Sequence, residues 1–224
     1  WMNPSCVAKL TMRKNRQPRM EIPLLTDGSF ELADTKESWE VLETRIIHQD
    51  DWILTFREDL VIRPGHPDEQ LHRLVLDHPG AVAILAVDEQ ERVRCLRQYR
   101  HSSGIRFVEL PAGLCDGDIN EDPLDTAKRE LREEAELQAT EWRHLFTTWP
   151  TPGFTNEKHW FYLARGLSHW DRGDFEMRGE EADLEHQWVP VDELIDAIFA
   201  GRIGDGPVVQ AVLAYDVLRR RGEL

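Results

Sequence analysis

The segment KRELREEAEL, Lys128 to Leu137, permits few conformations. Leu124, Ala127, Leu131 and Ala135 recur at three- and four-residue intervals, Asp122 can cap a first turn, and Pro123 suits its first position. The spacing therefore predicts an α-helix from about 123 with one apolar stripe. Opposite the stripe, Glu130, Glu133 and Glu134 share a face, because helical neighbours lie three and four residues apart. Like charges at that spacing cost only a few tenths of a kcal/mol, so a solvated acidic face is one reading. The other is a cation site, since grouped carboxylate oxygens are what hard divalent ions such as Mg²⁺ require, with waters and substrate phosphates completing the octahedron. Arg129 stands beside them, placed to pair with Glu133 or to brace the carboxylates from behind.

The rest of the 224 residues suggests one principal domain built around this helix. Residues 1–36 mix Pro, Gly, Lys and Arg without periodicity and read as a tail or arm. Short β-rich runs follow, WEVLETRII, WILTFREDLVI and HRLVLD, bounded by turn residues, and these predict a small antiparallel sheet over 37–77. AVAILAVD and VRCLRQYR flank EQE as a hairpin, and RFVELPAG supplies a strand ending at Gly113. Further strands are expected in WRHLFTTW, HWFYLAR and EHQWVPV. A second helix spans about Val191 to Ala200 with Gly201 as its stop, and a third follows Pro207 with basic residues in its last turn. The class is α+β.

Composition narrows the function. A formal charge of −15 disfavours nucleic acid as the main partner, and a small anionic substrate meets the same repulsion unless arginines or bound cations reverse it locally. The run AVAILAV is far shorter than the roughly 20 residues of a bilayer span, so no membrane role is expected. Cys6, Cys95 and Cys115 offer neither a disulfide framework nor a zinc pattern, and no secretory h-region is readable, which together point to the cytoplasm. The histidines form no His-Glu-x-x-His pair, and the tryptophans serve packing, although one near a cleft could stack on adenine.

Gly113, Glu121, Arg129, Glu130, Leu131, Glu133, Glu134 and Leu137 together resemble the signature of the Nudix hydrolases. Two positions depart from it: seven residues rather than five separate Gly113 from Glu121, and Glu136 replaces the final glycine. If that position requires the left-handed conformation, a non-glycine residue there costs about 1 kcal/mol. HPGAVAILAVD, RQYRHSSG, ELPAG, TPGFTNE and EEADLE, in that order, are similar to segments of the ADP-ribose pyrophosphatase branch. The resemblance implies a Nudix α/β/α sandwich around a mixed sheet over 78–224. It also implies a preceding antiparallel β-domain, over 37–77, that exchanges strands between the subunits of a homodimer.

It further implies roles. Glu130, Glu133 and Glu134 would bind Mg²⁺ or Mn²⁺, with the Ala112 carbonyl as a further ligand. Arg100 would face the diphosphate. Glu157 would contact the terminal ribose or be an ordinary loop residue; Phe154 would line the pocket or pack under its loop. Arg73 would reach the nucleoside end across a dimer or stay on the surface. The acidic loop RGEEADLE would supply a base, Glu180 or Glu181, to remove or orient the proton of a water activated at the metal carboxylates, Glu133 among them. The implied reaction is hydrolysis of ADP-ribose to AMP and ribose 5-phosphate. Its rivals are another nucleoside diphosphate sugar or dinucleotide as substrate, and a nucleotide-sensing module without catalysis.

Overall fold

The computed structural model describes residues 32–50, 54–117, 121–173, 177 and 179–224. The chain divides into two compact units, Trp1–Ser38 and Trp39–Leu224. Of the first, residues 32–38 are described and form neither helix nor strand; most of the expected arm lies outside the described residues. Among the described residues no helix is long and apolar enough to cross a membrane.

The second unit opens with β1 (Glu40–Gln49), β2 (Thr55–Arg63) and β3 (His66–Asp77), which pair in that order as an antiparallel sheet. Then come β4 (Ala81–Ala86), β5 (Arg92–Arg100), β6 (Ile105–Glu109), β7 (Ala112–Leu114) and α1 (Pro123–Ala135). After them follow β8 (Leu137–Thr148), β9 (His159–His169), β10 (Glu185–Pro190), α2 (Val191–Phe199) and α3 (Gly206–Arg221). One mixed sheet has the order β7-β4-β9-β8, with β4 and β9 parallel; a second, antiparallel, has the order β10-β5-β6.

The central pair β4 and β9 is buried on both faces. Val82, Ile84, Ala86, Tyr162 and Ala164 meet Ala127, Leu131 and Ala135 of α1. Their alternates Ala83, Leu85, Phe161 and Leu163 meet Leu194 of α2 and Val208, Ala211, Val212 and Tyr215 of α3. A period of two along the strands thus feeds two separate cores, as a helix-sheet-helix sandwich demands.

Two expectations are corrected. The hairpin of 81–88 with 93–100 closes for one bridge only, Val87 to Val93; beyond it β4 pairs with β7 and β9, while β5 pairs with β6 and β10. Nor does RFVELPAG form one strand. The chain bends at Leu110 and Pro111 and passes from the sheet of β6 to that of β7, where the Pro111 carbonyl accepts the Ile84 N–H at 2.8 Å. Proline brings no donor to a ladder, so a strand boundary falls there.

Glu136 ends α1 in the left-handed conformation, with φ 55° and ψ 39°, and its N–H returns to the Arg132 carbonyl. The turn is tight because β8 begins at the next residue. An L-residue pays about 1 kcal/mol or more for this geometry, and the ion pair to Arg172, 3.3 Å away and half-exposed at Glu136, offsets only tenths. We therefore expect Glu136→Gly to raise unfolding stability by up to about 1 kcal/mol in a urea titration. A loss would mean that the Arg172 pair outweighs the backbone strain.

Candidate active site

Asp122 caps α1 by accepting the Leu124 N–H at 2.9 Å, and Pro123 opens its first turn. Once the stripe of Ala127, Leu131 and Ala135 is seated on β4 and β9, the opposite carboxylates have one place to go: against β7. They are not a solvated face. Glu130 and Glu134 are only 8% and 5% exposed. Glu134 accepts the Ala112 N–H at 2.8 Å, which ties helix to strand. Glu130 packs on Gly113 so closely that a Cβ there would lie 2.1 Å from its carboxyl carbon. The absence of a side chain at 113 thus leaves the space that the Glu130 carboxylate occupies.

Arg129 neutralises part of this cluster. Its guanidinium donates to Glu130 at 2.6 Å, lies 3.5 Å from Glu133, and approaches the Leu114 carbonyl and Asp116 at 3.3 and 3.4 Å. Burial works against its charge, but Glu130, Glu133, Asp116 and Glu121 prevail and hold its pKa above the usual arginine value. Glu121 itself turns into the loop, accepting from Thr126 Oγ1 at 3.1 Å and lying where a Cβ on Gly117 would stand.

These residues form one wall of a cleft of ≈ 720 Å³. Ala112, Glu130, Glu133 and Glu134 line it, as do Arg100 and Glu157. Arg100 is held bidentately by Glu109, Nε to Oε1 at 2.9 Å and Nη2 to Oε2 at 2.7 Å, which fixes a planar cation in the wall. Glu157 accepts a hydrogen bond from His159 Nε2 at 2.9 Å, and that bond, with His78 and His159 nearby, keeps its carboxyl below the usual range against the opposing effect of burial. Its loop is held to the first sheet: Thr155 Oγ1 donates to the Leu76 carbonyl, and the Asn156 side chain bridges Asp77 and the His78 N–H.

Phe154 and Arg73 are not brought here. Phe154 is half exposed and packs on Phe56 of β2, ring centroids 6.0 Å apart, because its backbone is paired to Leu76 and faces the first sheet. Arg73 lies exposed on β3, its guanidinium on the His72 carbonyl. The backbone of Glu180 and Glu181 forms a single 3₁₀ turn, Gly179–Asp183; their side chains lie outside the described residues. From the sequence alone no role is assigned to several residues of the cleft, among them Glu109, which lies within ELPAG, His159, and Asp205, whose sequence signal is only that of a helix cap.

Glu109, Asp116, Glu157 and Asp205 join the three helix carboxylates in the cleft, against Arg100 and Arg129. So negative a site would repel an anionic ligand without added cations. Among the described residues no three metal-ligating side chains converge on one point; the carboxylates turn instead to Arg129 and to the Ala112 N–H. The donor set is nevertheless all hard oxygen, buried and backed by a rigid seam, which suits a divalent cation of the Mg²⁺ type.

Comparison with known proteins agrees with this geometry. The NUDIX domain model matches residues 77–212. An ADP-ribose pyrophosphatase of Mycobacterium tuberculosis is 38% identical over 179 residues, covering 80% of this chain and 84% of that protein. A methanol dehydrogenase activator of Bacillus methanolicus is 37% identical over 142 residues, 62% of this chain and 74% of that one. A crystal structure of an ADP compounds hydrolase superposes with a TM-score of 0.68 at 16% identity, covering 86% of this chain and all of the other, and so shares the fold.

Because Glu130 can swing outward, Gly113→Ala should leave the protein folded but expel that carboxylate from the cleft. We expect at least a tenfold loss of Mg²⁺ affinity by calorimetry with an unchanged circular dichroism spectrum, the order of loss seen when metal-supporting groups are removed. Undiminished affinity would take Glu130 out of the cation site.

Proposed function

Since this chain belongs to the Nudix family, we propose that it hydrolyses the diphosphate bond of nucleoside diphosphate sugars, ADP-ribose foremost, yielding AMP and ribose 5-phosphate. The observation that carries this reading is the meeting, in one cleft, of the signature carboxylates with Arg100 and Glu157, residues that the pyrophosphatase resemblance selects independently of the signature. The similarity to the mycobacterial ADP-ribose pyrophosphatase supports the choice of substrate.

Glu130, Glu133 and Glu134, with the Ala112 carbonyl, are the groups that would hold Mg²⁺ or Mn²⁺. When bound, such an ion supplies charge neutralisation at the diphosphate and acidifies water. Arg100, immobilised by Glu109, presents a fixed positive charge to the phosphates and so orients them without reorganising. Glu157 and its partner His159 offer polar groups to a sugar. A glutamate of the 3₁₀ turn, Glu180 or Glu181, takes the proton from the attacking water as it adds to phosphorus and the bridging P–O bond breaks. Free Cys95 and Cys115 accord with a reducing cytoplasm.

The first sheet supplies a second part of the proposal, a homodimer. Val41, Leu42, Ile46 and Ile47 of β1 are each 43–51% exposed, more apolar surface than one strand ordinarily leaves to water. A second copy, with strands of 37–77 exchanged, would cover them and would place Arg73 at the neighbouring cleft.

A Mg²⁺-dependent assay with ADP-ribose and a panel of other nucleotide sugars and dinucleotides, read by product analysis, tests the substrate. Turnover of another compound far above ADP-ribose would overturn the choice. Glu134→Gln, which keeps an acceptor for the Ala112 N–H, should stay folded and lose roughly a hundredfold or more in kcat. Substituting Glu180 and Glu181 one at a time should single out the base by a comparable loss; indifference at both would move the base elsewhere. Light scattering should give twice the chain mass, and a Val41→Lys, Ile46→Lys double variant should give the single mass.

A further inference from the structure

We propose that Asp205 is a specificity-determining residue of the cleft, its carboxylate accepting hydrogen bonds from the hydroxyls of the substrate's terminal sugar. This rests on the nucleotide-sugar reading above. Asp205 precedes α3 and lines the cleft between Gly204 and Gly206. Its Oδ2 accepts the Val208 N–H at 2.9 Å, which accounts for the capping role and for one oxygen. A Cβ on Gly204 would meet nothing within 4 Å, and Gly204, Asp205 and Gly206 all line the cleft.

The neighbouring charges do not satisfy it. Glu109, Arg100 and His159 face Asp205, but Arg100 is already held at two points by Glu109, and His159 by Glu157. Among the described residues the Asp205 side chain forms no ion pair, and its one hydrogen bond is the cap. Burial pushes its carboxyl up to about 6, the cap bond opposes this, Glu109 adds to it, and Arg100 and His159 oppose it. A carboxylate withdrawn from water with one donor is short of hydrogen bonds, and a ligand that supplies donors gains what a ligand lacking them forfeits.

The chemistry of that ligand follows from what surrounds it. A phosphate set directly against Asp205 would meet a like charge, so the group that fits its second oxygen is neutral and rich in donors. Phe107 of β6 offers a base an aromatic ring in the cleft, but stacking supplies no hydrogen-bond donor to Asp205. Paired hydroxyls suit a carboxylate well, as in dinucleotide sites where an acidic side chain takes a ribose diol.

The test uses Asp205→Asn and Asp205→Ser, both of which can still cap α3 and differ in what they offer a hydroxyl. On ADP-ribose each should raise KM roughly tenfold with kcat within about threefold, the pattern of lost uniform binding. On an analogue lacking the terminal-ribose hydroxyls, wild type and variants should have equal KM. An unchanged KM on ADP-ribose overturns the proposal. So does a deficit that persists on that analogue, or one that vanishes instead on an analogue deoxygenated in the adenosine ribose. Wild-type protein inactive on every nucleotide sugar would remove the functional reading and this with it. Active wild type with an indifferent Asp205 would remove this proposal alone.

Discussion

The site depends on how closely α1 can approach the mixed sheet. Ala127 and Ala135 flank Leu131 on the buried stripe, and all three are at most 1% exposed against β4 and β9. Small side chains at either end let the helix axis sink toward the strands, and Leu131 contributes about 2–3 kcal/mol by its burial. That packing is what forces Glu130 and Glu134 onto β7. A bulkier residue at 127 or 135 would lift the helix and with it both carboxylates, although neither alanine touches the cleft.

Burying carboxylates is costly unless they are bonded, and each here has a compensating partner. Glu134 takes a backbone N–H, Glu130 takes Arg129, and Glu109 takes Arg100 at two points. The cleft is therefore strongly negative yet locally organised, with Arg100 fixed in position while the remaining charge favours cations. The same logic sets Asp205 apart, since its side chain's only hydrogen bond among the described residues is to its own helix.

The first sheet contributes to the cleft through one seam rather than through its side chains. Leu76 exchanges backbone hydrogen bonds with the loop of 154–156, and Asn156 bridges Asp77 and His78. Arg57 on β2 in turn clasps Asp77 at 2.6 Å. A displacement of β3 would thus be felt at Glu157, the next residue beyond the seam, a coupling between the sheet proposed to form the dimer and the end of the cleft proposed to face the sugar.

What could be read from the chain alone was local. The α1 cap, stripe and carboxylate spacing, the stop of α2, the start of α3, and most strands depend on periods of 3.6 and 2 and on caps, which neighbouring residues determine. Strain at Glu136 was legible only as a condition, raised by the glycine that the Nudix signature has there; that α1 ends in the left-handed conformation was decided by the fold. Pairing was not legible. That β4 leaves β5 after one bridge to lie parallel with β9, that RFVELPAG bends across two sheets, and that Phe154 turns to Phe56 all depend on contacts far apart in sequence. The cleft wall formed by Arg100, Glu109, His159 and Asp205 has the same origin. Its members come from β5, β6, β9 and the start of α3, and only the folding of two sheets around common cores brings their charges within reach of one another.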